Sequence, residues 1–241
     1  MNKVLRKTLY GRRQGRRLRA DQRRLLEETL PTISIDLPEG DAPIDMAQLF
    51  KVVCEEYWLE IGFGGGEHLA WQAERQAENN GSVGIIGAEF FINGIVKLLR
   101  VVEGRKALEH LRVYQGDARD LMAALPEASI SRIFILFPDP WPKVRHHKRR
   151  LIQAGTLDLI SGLLRDNGEL RMASDHPSYQ KWMLLHMQDH PDFEWFAKRP
   201  DDRRARPDDW PATRYEEKAL QAGRHPLLLR FKRNARVGNA D

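Results

Sequence analysis

The chain of 241 residues, 41% of them hydrophobic, is long enough to bury one α/β core. No apolar run approaches the roughly 20 residues that cross a bilayer, and the single cysteine, Cys54, excludes an intrachain disulfide and a cysteine-based zinc cluster. The net charge of +5 is uneven: residues 1–24 hold ten Lys/Arg against one Asp, so the remaining 217 residues carry 29 basic and 33 acidic groups.

Segment 1–43 reads as a basic arm, a short helix near Gln22–Thr29 that docks Leu25 and Leu26, and a linker from Pro31 to Pro43. Residues 44–241 read as the folded domain. An arm of this charge commonly contacts nucleic acid. An Arg-rich, acid-poor start also marks transit peptides. Tyr10–Arg17, however, spaces its arginines with glycines, which favours RNA. A lone cysteine suits a reducing, cytoplasmic setting.

Apolar runs then alternate with helical stretches. Strands are predicted at Tyr57–Gly62, Ser82–Glu89, Leu111–Gln115, Ser131–Phe137 and Glu169–Ala173. Helices are predicted at Glu67–Asn79, Ile92–Glu103, Ala118–Leu125, Arg149–Leu164 and Ser178–His190, with a turn at Asn167-Gly168. This order implies a mostly parallel, doubly wound sheet with helices on both faces. The tail differs. Phe193–Lys198 and Pro226–Lys232 read as strands separated by a polar stretch of 27 residues with no predicted helix, which suggests an antiparallel hairpin on one edge.

Between the first strand and helix stands Leu59-Glu60-Ile61-Gly62-Phe63-Gly64-Gly65-Gly66. The dinucleotide fingerprint needs a third glycine where Glu67 stands, so that pattern fails. A carboxylate just ahead of the first glycine suits S-adenosylmethionine, which carries an ammonium and a sulfonium but no phosphate. Glu60, Glu89 and Asp117 close three successive strands, where open α/β sheets bind ligands. Glu89 is placed for a ribose diol and Asp117 for an adenine amino group. As helix caps or surface acids they would carry no such meaning.

After the fourth strand comes Phe137-Pro-Asp-Pro-Trp-Pro-Lys-Val-Arg-His-His-Lys-Arg-Arg150. Prolines stiffen the loop that presents Asp139 and Trp141. The cations Lys143, Arg145, Lys148, Arg149 and Arg150 form a docking site for phosphates. His146 and His147 lack a third ligand at useful spacing and read as RNA-facing or surface groups, not metal ligands.

These segments resemble the bacterial tRNA (guanine-N7)-methyltransferase family. The resemblance rests on Tyr10-Gly-Arg-Arg-Gln-Gly-Arg16, the loop from Leu59 to Gly64, and Pro138-Asp-Pro-Trp-Pro-Lys143 with His146–Arg150. It continues in Ser174-Asp175, Thr213-Arg-Tyr-Glu216, Lys218 and Gly223-Arg-His-Pro226. It implies a Rossmann-like class I methyltransferase fold, a seven-stranded sheet with an antiparallel last strand. It also implies methyl transfer from S-adenosylmethionine to N7 of the guanine at position 46 in the tRNA variable loop. Carried over residue by residue, Glu60, Gly62, Gly64, Glu89, Asp117, Ala118 and Asp139 become cofactor contacts, with Asp139 also catalytic. Lys143, Asp175, Thr213, Arg214, Tyr215 and Glu216 become the guanosine-binding set. Ala88, Ser174 and Arg214-Tyr215 depart from the family's usual residues without removing a charge of the site. A monomer with no metal and no membrane partner is expected. A nicotinamide enzyme, a non-catalytic RNA-binding protein and a methyltransferase for other substrates remain as alternatives.

Overall fold

The computed structural model describes residues 10–236; residues 1–9 of the basic arm and 237–241 at the end of the folded domain lie outside the described residues. Seven strands form one sheet in the order β3-β2-β1-β4-β5-β7-β6. They are β1 (Glu56–Ile61), β2 (Val83–Glu89), β3 (Leu111–Gln115), β4 (Ile130–Leu136), β5 (Leu164–Ser174), β6 (Phe193–Trp195) and β7 (Leu227–Arg233). β7 runs antiparallel to both β5 and β6, while β1–β5 pair in parallel. The order reverses between β1 and β4. The loops leaving those two strands therefore open side by side, at the switch point where such sheets bind ligands.

The two faces are covered by different helices. Leu59, Ile61 and Ile133 pack with Leu121 of α4 (Ala118–Ala124), Leu157 of α5 (Ala154–Leu163) and Met183 of α6 (Pro177–Gln188). On the other face Trp58 and Phe134 pack with Leu69 of α2 (Glu67–Glu78), Leu98 of α3 (Ile92–Val102) and Trp210. Side chains alternate along a strand, so Glu60 shares the α2–α3 face with Trp58.

Three elements depart clearly from their predicted spans, and a fourth, a helix, has no predicted counterpart. The basic run 144–149 forms a 3-10 turn, and α5 starts only at Ala154. Arg150 causes this delay by donating to the Pro140 carbonyl at 2.9 Å and to Ser178 Oγ at 2.9 Å, which holds the chain extended. β5 begins at Leu164 and passes Asn167 (φ 63°) with a register shift against β4, so the Asn-Gly pair marks an irregularity and not a strand start. β6 stops at Trp195. The polar stretch holds a helix after all, α7 (Arg214–Gln221), capped by the Thr213 side chain accepting from Glu216 N at 3.3 Å.

The described part of the arm and the linker lie against the body. α1 (Ala20–Arg24) runs on into a π-turn, Leu25–Thr29, and Leu18, Leu25 and Ile33 join the second core cluster. Ile35 N donates to Val113 O at 2.9 Å, and Val113 N to Ile33 O at 2.8 Å, so the linker covers the free edge of β3.

Candidate active site

At the switch point lies a cavity of about 530 Å³. Its walls are the glycine loop (Gly62, Gly64), the end of β2 (Glu89), the turn after β3 (Gly116–Ala118) and the loop after β4 (Phe137–Asp139, Trp141). Gly64 holds φ 58°, a left-handed value that favours glycine. Gly94 lies against it, and a Cβ there would meet the Gly64 carbonyl oxygen at 2.1 Å. The first turn of α3 thus packs backbone to backbone on the loop.

Glu89 ties these walls together. Its Oε2 accepts from Gly64 N at 2.7 Å, and its Oε1 from Phe90 N at 2.7 Å and Phe91 N at 2.8 Å. Burial pushes its carboxyl above the ordinary range, against the pull of these three amides. A carboxylate offers about four acceptor positions, so one remains for a ligand hydroxyl. Asp139 stands exposed at the mouth, and desolvation by the surrounding loop raises its carboxyl as well. The two acids repel one another. The wall between them is suited to a cation.

Other candidate residues are placed differently. Glu60, taken from the sequence as a cofactor contact, does not line the cavity. Its buried Oε2 accepts from His68 Nδ1 at 2.8 Å. His68 Nε2 in turn faces Gln72 Nε2 at 3.3 Å, and that amide donates to the Asp209 carbonyl at 2.9 Å. Any effect of Glu60 on a bound cofactor therefore passes through the glycine loop. Asp117 lines the cavity together with Ala118, but its carboxylate caps α4 and is gripped by Arg119, whose Nε lies 2.9 Å from Oδ1. An adenine amino group would have to share it.

In the basic loop Lys143, Arg145 and Lys148 are exposed. Arg150 is not. It is 2% exposed, pinned to Pro140 and Ser178, with Tyr179 and Trp182 beneath its guanidinium. Its role is to brace the loop, which corrects the expectation of an RNA contact. Arg149 lies over Tyr10 at 4.7 Å and Trp141 at 5.0 Å. His147 turns its ring to Trp182. Desolvation, then the charges of Arg149, Arg145, Lys143 and Lys148, hold His146 below the usual imidazole range.

Of the guanosine set, Tyr215 reaches the cavity, stacked on Phe137 with centroids 6.4 Å apart and its ring over Gly64. Thr213 caps α7 and Arg214 faces Glu67 at 3.5 Å. Glu216 is buried against Arg206, and Asp175 pairs with Arg224 at 2.7 Å.

Two contributors escaped the sequence reading. Tyr10, Gly11 and Arg12 line the cavity, because Arg13 O accepts from Ile92 N at 3.1 Å and Asn93 clasps Gly15 and Arg16. The Tyr-Gly-Arg-Arg motif is the available signal, but in the sequence it marks the basic arm and the family resemblance and not a cavity wall. The second is Asp209, which anchors the segment leading to α7. Its carboxylate takes Arg171 at 2.8 Å and Arg132 at 2.7 Å, and both cations also pair with Glu169.

Fold and cavity together define a class I S-adenosylmethionine-dependent methyltransferase. A crystal structure of the aminoglycoside resistance methyltransferase NpmB1 shares the fold, with a TM-score of 0.50 and 17% identity over 75% of this chain and 88% of that one. A family model described as "Putative methyltransferase" matches residues 55–228. The tRNA (guanine-N(7)-)-methyltransferase of Rhodospirillum rubrum is 47% identical over 95% of this chain and 89% of its own length. That of Paramagnetospirillum magneticum is 47% identical over 94% and 93%. The chain belongs to the tRNA (guanine-N7)-methyltransferase family.

Proposed function

We propose that the protein transfers the methyl group of S-adenosylmethionine to N7 of the variable-loop guanine of tRNA. The observation that carries this most is the pair Glu89 and Asp139, two acids with raised carboxyls on the walls of one cavity beside the glycine loop. The donor set fits the cofactor: one open acceptor position on Glu89, backbone groups of the turn Gly116–Ala118, and an unneutralised acid at the mouth. When bound, S-adenosylmethionine supplies an electrophilic methyl on a positively charged sulfur.

Guanine N7 presents an in-plane lone pair on the major-groove edge. It has no proton to lose, so no general base is required. Positive charge moves from donor to purine, and Asp139 faces that charge and helps set the line of attack. Alignment contributes up to about 7–11 kcal/mol to such reactions. The major groove of an A-form helix is too deep and narrow for side chains, so the base enters unpaired or extruded. Tyr10, Trp141 and Tyr215 offer ring faces at the mouth. Asp175 and Glu216 stay the candidates for the guanine N1–H and amino group, although neither is on the cavity wall and each is already paired, with Arg224 and Arg206. Lys143, Arg145 and Lys148 hold backbone phosphates. Among the described residues no helix is long and apolar enough to cross a membrane, and the substrate's setting is the cytoplasm.

Incubation of purified protein with methyl-labelled donor and a tRNA transcript should place 7-methylguanosine at one variable-loop position. Loss of that guanine should abolish labelling. Label at another base, or none on tRNA, would overturn the assignment. Deleting residues 1–17 should weaken both tRNA and donor binding, since this segment carries seven cations and its Tyr10, Gly11 and Arg12 line the cavity. It should also flatten the salt dependence of tRNA affinity. An unchanged slope would remove the arm from the interface.

A further inference from the structure

Away from the cavity, the sheet ends in an edge strand with exposed aromatic side chains. Trp195 is 39% exposed and Phe196 43%. Phe196 N donates to the Arg230 carbonyl at 3.1 Å, and the Arg230 guanidinium lies 4.8 Å from the centre of the Phe196 ring. Beside them is a groove of about 180 Å³ that also touches Leu228, Asp202 and Ala205. The chain then continues through Lys198, Arg199, Arg203, Arg204 and Arg206 against only Asp201 and Asp202.

Of the cations in this segment, Lys198 and Arg199 lie in the field of Asp202, while Arg203 and Arg204 are the more available. Asp202 gives its Oδ2 to the backbone amides of Lys198 and Arg199, both at 2.8 Å. Arg206 is taken by Glu216, and Lys232 by Glu194. Among the described residues no carboxylate forms an ion pair with Lys198, Arg199, Arg203 or Arg204. Arg203 Nε is buried without a hydrogen-bond partner. β6 is antiparallel to β7, so it runs in the direction of β5 and delivers this segment toward the sheet end that carries Asp175.

We infer that Phe196 with Arg230, flanked by Arg199, Arg203 and Arg204, forms a second RNA-binding surface that stacks an unpaired nucleotide and holds its phosphates. Sequence-tolerant binding of single-stranded RNA uses these two components, ring faces and a cationic track. An apolar protein partner would leave the four cations facing hydrocarbon. The surface rests on the tRNA reading above and adds a contact outside the methylation cavity. It raises affinity for tRNA without touching the reacting atoms.

The test uses the full-length protein and a tRNA transcript. Phe196→Ala should raise KM for tRNA about five- to tenfold, from a stacking contribution of order 1 kcal/mol. kcat and donor affinity should hold, and Phe196→Tyr should restore KM. Arg203→Ala with Arg204→Ala should lower the slope of log affinity against log salt by about 1.5, from roughly 0.7–0.9 per phosphate contact. Unchanged KM and slope in these variants would overturn the surface. So would a loss of kcat and donor affinity together, which marks a disturbed fold, or a change of oligomeric state with the salt slope intact. Absence of tRNA methylation by the unmodified protein would instead refute the tRNA reading.

Discussion

Replacing Asp139 with alanine should lower the single-turnover methylation rate about 10²–10³-fold, the usual cost of removing one preorganised electrostatic group. tRNA binding should survive, because the exposed cations Lys143, Arg145 and Lys148 are untouched. Asp139→Asn keeps the shape and removes the charge, so it should be nearly as slow. Near-normal turnover in either variant refutes the role of Asp139. The pH profile gives a second check. Desolvation raises the Asp139 carboxyl, so the acid limb of the rate should lie above the ordinary Asp value of about 3.9. Asp139→Asn should erase that limb. The stability effect has the opposite sign. A folded-state pKa above the unfolded one means that the ionised carboxylate disfavours the fold, and that this is relieved as pH falls. Asp139→Asn should therefore melt no lower than the parent protein at neutral pH while turning over poorly.

Asp209→Ala should destabilise the protein by about 3–5 kcal/mol, read by denaturant unfolding, because it leaves buried cations short of a partner. Arg171 is 2% exposed and Arg132 is packed 4.2 Å over the Trp58 ring. Arg171 is sealed from water, and Arg132 keeps only partial exposure. Burial pushes the Asp209 carboxyl up, but the Arg171 hydrogen bond and the charges of Arg171 and Arg132 outweigh it and hold it low. Its stabilisation is thus present above the unfolded carboxylate range and lost as pH falls through the folded value. The same change frees the segment that carries Thr213 and Tyr215, so KM for tRNA should rise while donor affinity holds. Should the alanine variant not fold, Asp209→Asn, which retains one acceptor oxygen, should show the KM effect with a smaller loss. A loss below about 1 kcal/mol in the alanine variant would show that the cations find other partners.

The parallel body of the fold was legible because buried strands are written as short apolar runs between turn residues, as in Ile130–Leu136. The cavity was legible in part: the glycine loop and Glu89 do line it, whereas Glu60 and Asp117 also serve structure, one holding His68 and the other capping α4. What was missed follows from side-chain direction and long-range packing. Glu60 lies one residue from the glycine loop's inward-facing strand positions, and a period of two sends it to α2. Arg150 looks like its basic neighbours in sequence, and only the fold brings Ser178 beneath it. α7 was recoverable, since Thr213-Arg-Tyr-Glu216 followed by Gly223 (φ 70°) is a capped helix with a left-handed stop. The arm's place beside Asn93 was not, because nothing local encodes a contact across 78 residues.

Phe137 (φ 53°) and Trp141 (φ 40°) bracket Asp139 in a backbone region that bulky residues avoid. Each such residue costs on the order of 1–3 kcal/mol, and the tight grip of Arg150 on Pro140 helps to offset it. The enzyme thus holds its reactive loop like a bent spring. Glycine at either position would let the spring relax and give a poorer catalyst, with the lost ring contacts on Tyr215 or Arg149 set against the relief. Heat resistance and speed in this fold then pull on the same few bonds, and a variant obtained by loosening this loop would lose the aim that makes the reaction possible.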